Sequence, residues 1–295
     1  MTQVLPQASV VVTTCGRPHL AADAVRSVLA GELGAVEVLV IDQSDRPDSA
    51  LEALATEHPS VRYRAVEERG LSRARNLGAR EARGEIVAFL DDDELAEPGW
   101  LAAHVAALAG AGTSTVTTGR VLPGEPEVRD AVVPSTVLGM EPELFRGRLS
   151  RDVLAGGNMA AWRSELVAAG GFDPRLGPGT AWPAAEDNDL GLRLLDGGHT
   201  ITYVPAAVVR HRAWRPGRSY QRIRWHYGLG KGGFYAKNAR LGSAYGLRRA
   251  SSDVARRLVR GVVSVTRPRY AAGELAYAIG VIVGMTRWTI RRPTV

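Results

Sequence analysis

Apolar positions run in two rhythms along this chain. Residues 8–13, 36–41 and 85–90 are short, mostly β-branched or aliphatic runs, that at 85–90 with the pattern of a strand interior to a parallel sheet, and a third short strand fits 61–65. Between them, residues 20–30, 49–57 and 70–82 repeat their apolar positions at helical spacing. Alternation of this kind predicts a parallel, doubly wound α/β sheet. A further helix is expected over 98–109 and a further strand over 115–121. From 123 to 150 the pattern decays into Pro, Glu and Gly, which predicts a long irregular loop. Helical spacing returns over 163–169 and 187–195, and 200–204 reads as a strand. There is no internal repeat and no low-complexity segment.

The strand at 85–90 runs directly into Asp91-Asp92-Asp93. Ligands of open α/β sheets sit at the carboxyl ends of the strands. Three adjacent like charges repel, so they need solvent or a divalent cation, and oxygen donors suit Mg²⁺ or Mn²⁺ bridging to phosphates. The competing reading is an acidic turn that caps the next helix.

Composition narrows the class. With 295 residues, 45% hydrophobic and 23% charged, the chain is globular and long enough for one α/β domain with an appendage or for two small domains. Its one cysteine, Cys15, excludes an intramolecular disulfide framework and fits a reducing compartment. The N-terminus lacks the basic stretch, apolar core and cleavage site of a secretory leader. Charge is divided unevenly. Residues 201–295 carry 19 Lys and Arg against Asp253 and Glu274, a net +17, while the rest carries 18 basic and 29 acidic residues, a net −11. A basic end of this kind binds phosphates, an anionic membrane leaflet or nucleic acid. Nucleic acid ranks last, because the arginines are spread through apolar helical patterns without a recognisable module.

The acidic turn becomes specific through its company. Before it stand Ser9-Val10-Val11-Val12-Thr13-Thr14-Cys15-Gly16-Arg17-Pro18, then Val40-Ile41-Asp42-Gln43-Ser44-Asp45, then Gly70-Leu71-Ser72-Arg73-Ala74-Arg75-Asn76-Leu77-Gly78. After it come Gly156-Gly157-Asn158-Met159, Gly170-Gly171-Phe172-Asp173, Glu186-Asp187-Asn188-Asp189-Leu190 and Val209-Arg210-His211. In this order and spacing, residues 8–212 resemble the family 2 glycosyltransferases, which use the GT-A fold, a Rossmann-like nucleotide-binding sheet. The departure is Gln43, where many relatives carry a second acid.

The resemblance implies an inverting, metal-assisted transfer of a sugar from a UDP-, dTDP- or GDP-sugar to an acceptor nucleophile. It makes Asp93 a ligand of Mn²⁺ or Mg²⁺, with Asp91 reaching ribose and, through water, the ion. Asp92 is expected to point away from the ion, at the edge of the donor site. A histidine at the place of His211 can complete the metal shell, the alternative being a satisfied structural histidine. Thr13, Arg17 and Asp42 hold base and ribose at the strand ends, the alternative for Asp42 being a turn-forming Asx residue. Arg73, Arg75 and Asn76 meet ribose and phosphate, the alternative for each arginine being a solvated basic face. Gly157, Asn158 and Trp182 join the donor and acceptor contacts. Asp187 is the implied general base, with Glu186 the runner-up. The alternative for this pair is acids in a first helical turn complementing the helix dipole.

Residues 1–212 are therefore expected to form the GT-A domain and 213–295 a basic helical region serving as lid, acceptor contact, membrane-surface contact or oligomer contact. Gln221-Arg222-Ile223-Arg224-Trp225 matches the Gln-x-x-Arg-Trp signature of processive family 2 synthases, although an amphipathic basic helix explains it equally. Residues 228–235 read as a flexible glycine-rich cover bringing Lys231 to the diphosphate. The uncharged run 275–286 reads as a core helix, an interfacial helix or a homodimer contact. The expected partners are the sugar-nucleotide donor and a small-molecule, lipid-linked or glycan acceptor. The expected location is the cytoplasm, with peripheral contact at the inner membrane face. Two alternatives stay open here: a nucleotidyltransferase, and a non-catalytic sugar-nucleotide-binding protein of the membrane surface.

Overall fold

A computed structural model describes residues 6–239 and 244–291. The segment read above for a secretory leader includes residues 1–5, outside the described residues. In chain order the first elements are β1 (Ala8–Thr14), α1 (Pro18–Leu29), β2 (Val36–Asp42), α2 (Ser49–Glu57), β3 (Val61–Ala65), α3 (Leu71–Glu81) and β4 (Ile86–Asp91). Next come β5 (Glu94–Ala96), α4 (Trp100–Ala111), β6 (Thr115–Pro126), β7 (Ala131–Val132), β8 (Glu143–Phe145), β9 (Asn158–Trp162) and α5 (Arg163–Ala168). The chain continues with α6 (Glu186–Asp196), β10 (Thr200–Ala213), β11 (Arg215–Pro216), α7 (Tyr220–Asn238), α8 (Tyr245–Val263) and α9 (Pro268–Arg291). Two compact units result: residues 1–125, 135–172 and 190–212, and residues 126–134, 173–189 and 213–295.

The first unit is built on a sheet of order β3-β2-β1-β4-β9-β6-β10-β5, with β8 beside β10. Strands β3, β2, β1 and β4 are mutually parallel, as the alternation of strands and helices predicts. Beyond β4 the expectation of a wholly parallel sheet fails: β9 runs antiparallel to β4 and to β6, and β5 and β8 run antiparallel to β10. After the long connection from β6 the chain re-enters the sheet in the opposite direction, a reversal that periodicity does not encode. That connection is also less irregular than expected, since it contains β7 and β8.

Alternate strand residues face opposite layers. Val10, Val12, Val40, Ala88 and Leu90 pack with α1, α2 and α4, while Val11, Leu39, Ile41, Val87 and Phe89 pack with α3, α5 and α6. Register sets the site: Thr14 lies opposite Asp42 on β2 and Thr13 opposite Asp91 on β4, so three strands end level.

In the second unit the segment 228–235 is part of α7, a correction to the expected loop. Its glycines serve packing. A methyl group at Gly228 would sit 2.2 Å from Tyr277 O, and one at Gly232 2.2 Å from Val281 O, so α7 and α9 meet at backbone contact. Lys231 is buried in this helix, its Nζ 5.0 Å and 5.5 Å from the Phe234 and Tyr235 ring centroids. A helical, buried lysine is no part of a flexible cover. Arg224, of the synthase-like signature, pairs with Glu274 of α9 at 2.9 Å and lies over the Tyr277 ring.

Candidate active site

Four consecutive acids run from Asp91, the last residue of β4, through the turn at Asp92 and Asp93 to Glu94, the first residue of β5. Arg75, buried on α3, pairs with Asp91 and lies 5.1 Å from the Phe172 ring centroid. Arg17, at the start of α1, reaches Asp92 at 2.7 Å and Asp93 at 3.5 Å. His211 on β10 is brought across from Glu94 by strand pairing, and its Nε2 lies 3.7 Å from Asp93 Oδ1. The Thr14 hydroxyl donates to Asp92 Oδ2 at 2.7 Å. Asp92 is therefore turned into the scaffold, against β1 and Arg17.

So dense a group of acids perturbs itself. Burial pushes the Asp92 carboxyl up to about 7, against the pull of Arg17, and Asp93 adds to the rise. Burial and then the Asp91 charge push Glu94 up to about 8. Glu94 was missed in the sequence, although it directly follows the three aspartates.

Among the described residues no three His, Cys, Asp or Glu side chains form a ready-made metal cluster. The residues nonetheless fit a hard divalent cation. Glu94 Oε2 is buried without a hydrogen-bond partner. A Cβ on Gly157 would lie 2.6 Å from both Asp91 Oδ2 and Glu94 Oε2, so two carboxylates converge on a position only glycine leaves open. Carboxylate oxygens suit Mg²⁺ or Mn²⁺, and an imidazole nitrogen beside them favours Mn²⁺ of the two.

Of the other sequence candidates, Asp42, Asn76 and Thr13 are turned into the scaffold. Asp42 accepts from Ser44 N and Oγ and from the Tyr63 hydroxyl, the Asx-turn alternative, so both its oxygens are used. Asn76 brackets the Phe172 backbone, its amide donating to Phe172 O at 2.7 Å and accepting from Phe172 N at 2.8 Å. Arg73 faces outward to Glu68 at 2.6 Å. Thr13 is buried beside Asp91 in register.

Asn158 is corrected from donor contact to core residue. Its amide donates to Arg120 O and Ala207 O and accepts from Trp100 Nε1 and from His104 Nε2 at 2.9 Å, which uses its full capacity. His104 is fully buried, and burial draws its imidazole down to about 4 from 6.5. The unfolded chain binds this proton more tightly, so the contribution of His104 to stability is complete above pH 6.5 and is lost as pH falls toward 4. We expect wild type to lose up to about 3 kcal/mol over that window through this group, and His104→Gln to lack that component. Denaturant titrations at stepped pH check it, and parallel pH profiles for the two proteins would refute it.

In the second unit, Glu186 and Asp187 open α6, directly after Ala185, whose φ of 71° is left-handed. A non-glycine residue keeps that conformation only when its surroundings hold it. Glu186 is buried against Gly177, and Asp187 is half-buried, its Oδ1 accepting from Asn188 N at 2.7 Å. Lys237 Nζ lies 2.6 Å from Asp173 and 2.7 Å from Asp189, and Arg175 closes on Asp173. Burial pushes the Asp173 carboxyl up, but hydrogen bonds from Arg175 and Lys237 outweigh it and hold the group well below the usual carboxylate range. This frame around the acid pair was missed: nothing in the sequence links residue 237 to residue 189. Trp182 was expected to contact ligand. Instead it packs 4.7 Å from Trp288, with Nε1 donating to Gly284 O at 3.1 Å.

A mixed sheet whose parallel half ends at a carboxylate turn matches the GT-A fold. Residues 9–164 match the profile of glycosyl transferase family 2, and the chain belongs to that family. A glucosyl-dolichyl phosphate glucuronosyltransferase of Haloferax volcanii is 27% identical over 215 residues, 69% of this chain and 68% of the relative. An uncharacterized glycosyltransferase of Rickettsia conorii is 35% identical over 88 residues, 30% of this chain and 15% of its own length. Among solved structures, a mannosyltransferase from Pyrobaculum calidifontis in complex with GDP-Man and Mn²⁺ superposes with a TM-score of 0.66 at 20% identity, covering 96% of this chain and 88% of its own. GalNAc-T7 with UDP, GalNAc and Mn²⁺ gives 0.55 at 22% identity, covering 79% and 50%.

Proposed function

We propose that this protein is an inverting glycosyltransferase that moves a hexosyl or deoxyhexosyl group from a nucleoside-diphosphate sugar to an acceptor hydroxyl. The observation that carries the reading is the acidic run Asp91 to Glu94, half-buried at Asp91 and buried from Asp92 on, with the Asp91 and Glu94 carboxylates converging over Gly157. Asp93, with Asp91 and His211, would hold Mn²⁺ or Mg²⁺. The bound ion supplies Lewis-acid stabilisation of the diphosphate charge. Both solved relatives were obtained with Mn²⁺ and a nucleotide, which supports this choice. Arg17 and Arg75 set the acidic turn and add positive charge toward phosphate.

Asp187 takes the proton from the acceptor hydroxyl. The acceptor oxygen then attacks the anomeric carbon, the bond to the nucleoside diphosphate breaks with its electron pair leaving on the diphosphate oxygen, and configuration inverts. The lipid-phosphate substrate in the name of the Haloferax relative favours a lipid-linked acceptor, and with it peripheral membrane contact.

The test is a panel of UDP-, dTDP- and GDP-sugars with Mn²⁺ or Mg²⁺, read by thermal unfolding. A donor at 100 times its Kd stabilises the native state by about 2.7 kcal/mol. We expect one nucleotide class to raise Tm in a metal-dependent way. No shift from any donor, or pyrophosphate release from a nucleoside triphosphate, would count against the proposal.

A further inference from the structure

Helices α8 and α9 leave an outward surface with an unusual composition. On α9, Leu275, Ile279, Ile282 and Ile290 recur on one helical face, and all are exposed. Around the end of α8, Val259, Val262, Val263 and Val265 are exposed by 62% to 75%. Arg260, Arg267, Arg269 and Arg287 are exposed as well, while the exposed Arg256 reaches Asp253 at 3.7 Å.

Acids are missing from this surface for a structural reason. Asp253 and Glu274 are the two carboxylates of residues 213–295, and both are buried. Asp253 accepts from the Tyr235 and Tyr277 hydroxyls at 3.1 Å and 2.9 Å, and Glu274 pairs with Arg224 and Arg257 at 2.9 Å and 3.0 Å. The exposed face is left with aliphatic groups and guanidinium groups together.

That pairing selects the partner. A second copy of the same face would set like charges against one another, and a nucleic acid would leave the aliphatic side chains in water. An anionic lipid surface takes both, with headgroup phosphates for the arginines and the acyl boundary for the valines and isoleucines. No described helix is long and apolar enough to cross a membrane. We infer that this face of α8 and α9 docks on a membrane surface of anionic lipid. The inference deepens the functional reading above, on which it rests for its purpose, by giving a lipid-linked acceptor a docking face.

The full chain is floated with vesicles of phosphatidylcholine alone or mixed with phosphatidylglycerol. Binding is expected to the mixed vesicles at low salt and to weaken as ionic strength rises, because the Debye length falls from about 30 Å at 0.01 M to about 8 Å at 0.15 M. Val262→Glu combined with Ile282→Glu should reduce flotation by at least about tenfold, since buried aliphatic area is lost and anionic charge is repelled. Both positions are exposed, so Tm and nucleotide-sugar binding should be retained. Met140→Glu, at an exposed apolar residue of the other unit, should float as wild type does. The inference is overturned if wild type does not float at low salt, if the double variant floats equally well, or if sedimentation shows a dimer that the double variant dissociates. Flotation without binding of any nucleotide sugar would retain the surface and remove the glycosyltransferase reading.

Discussion

Asp187→Asn should keep nucleotide-sugar affinity near wild type while turnover falls by about 10²-fold or more, the usual scale for losing a general base. The substitution preserves shape and the hydrogen bond accepted from Asn188 N, and it removes only basicity. Asp187 is half-buried at the opening of α6, where the helix dipole favours a carboxylate. Glu186 is buried against Gly177, and Glu186→Gln should cost less. Donor binding and turnover are measured on one preparation, and product configuration is read by NMR. Near wild-type turnover by Asp187→Asn, or retention of the donor's anomeric configuration, would assign the proton to another group.

Asp93→Ala should remove metal-dependent donor binding. The loss should exceed the roughly 10–100-fold that follows removal of even an outer partner of a metal ligand. It should not unfold the protein. Asp93 is one of four adjacent acids, and its charge raises the carboxyls of Asp92 and Glu94, so its removal relieves like-charge repulsion. The Tm without metal is therefore expected to hold or rise. Asp92→Ala separates the roles: it leaves Arg17 with one carboxylate fewer and should weaken donor binding much less. Calorimetric titration with and without Mn²⁺ decides between them, and equal donor affinity for wild type and Asp93→Ala would end the metal assignment.

Much of the first unit was legible because its signals are local. Strands β1 and β4 are almost wholly apolar and β2 nearly so, and a strand buried on both faces needs no partner to be recognised, whereas β3 carries Arg62 and Arg64 and is only half-buried. The acidic turn was legible because three charges after a buried strand require a reason. Less legible were residues whose chemistry is polar but whose place is internal. Asn158, Asn76 and Trp182 carry groups that ligands use, and the fold uses those same groups to satisfy Trp100 and His104, the Phe172 backbone and Gly284 O. A sequence shows the donor and acceptor inventory of a side chain but not which partner consumes it.

The glycines of 228–235 show the same limit from the other side. Glycine is a poor helix former, so local propensity reads a loop. The close approach of α9 overrides that preference, because a Cβ at Gly228 or Gly232 would collide with the α9 backbone. By itself, then, the sequence determined the parallel half of the sheet, the carboxylates at its edge and the basic charge of the C-terminal region, all properties of neighbouring residues. Only tertiary structure decided the antiparallel return of β9, the convergence of Asp91 and Glu94 over Gly157, and the burial of Asp253 and Glu274 that strips acids from the exposed face. Those depend on contacts between residues far apart in the chain, whose partners no local pattern names.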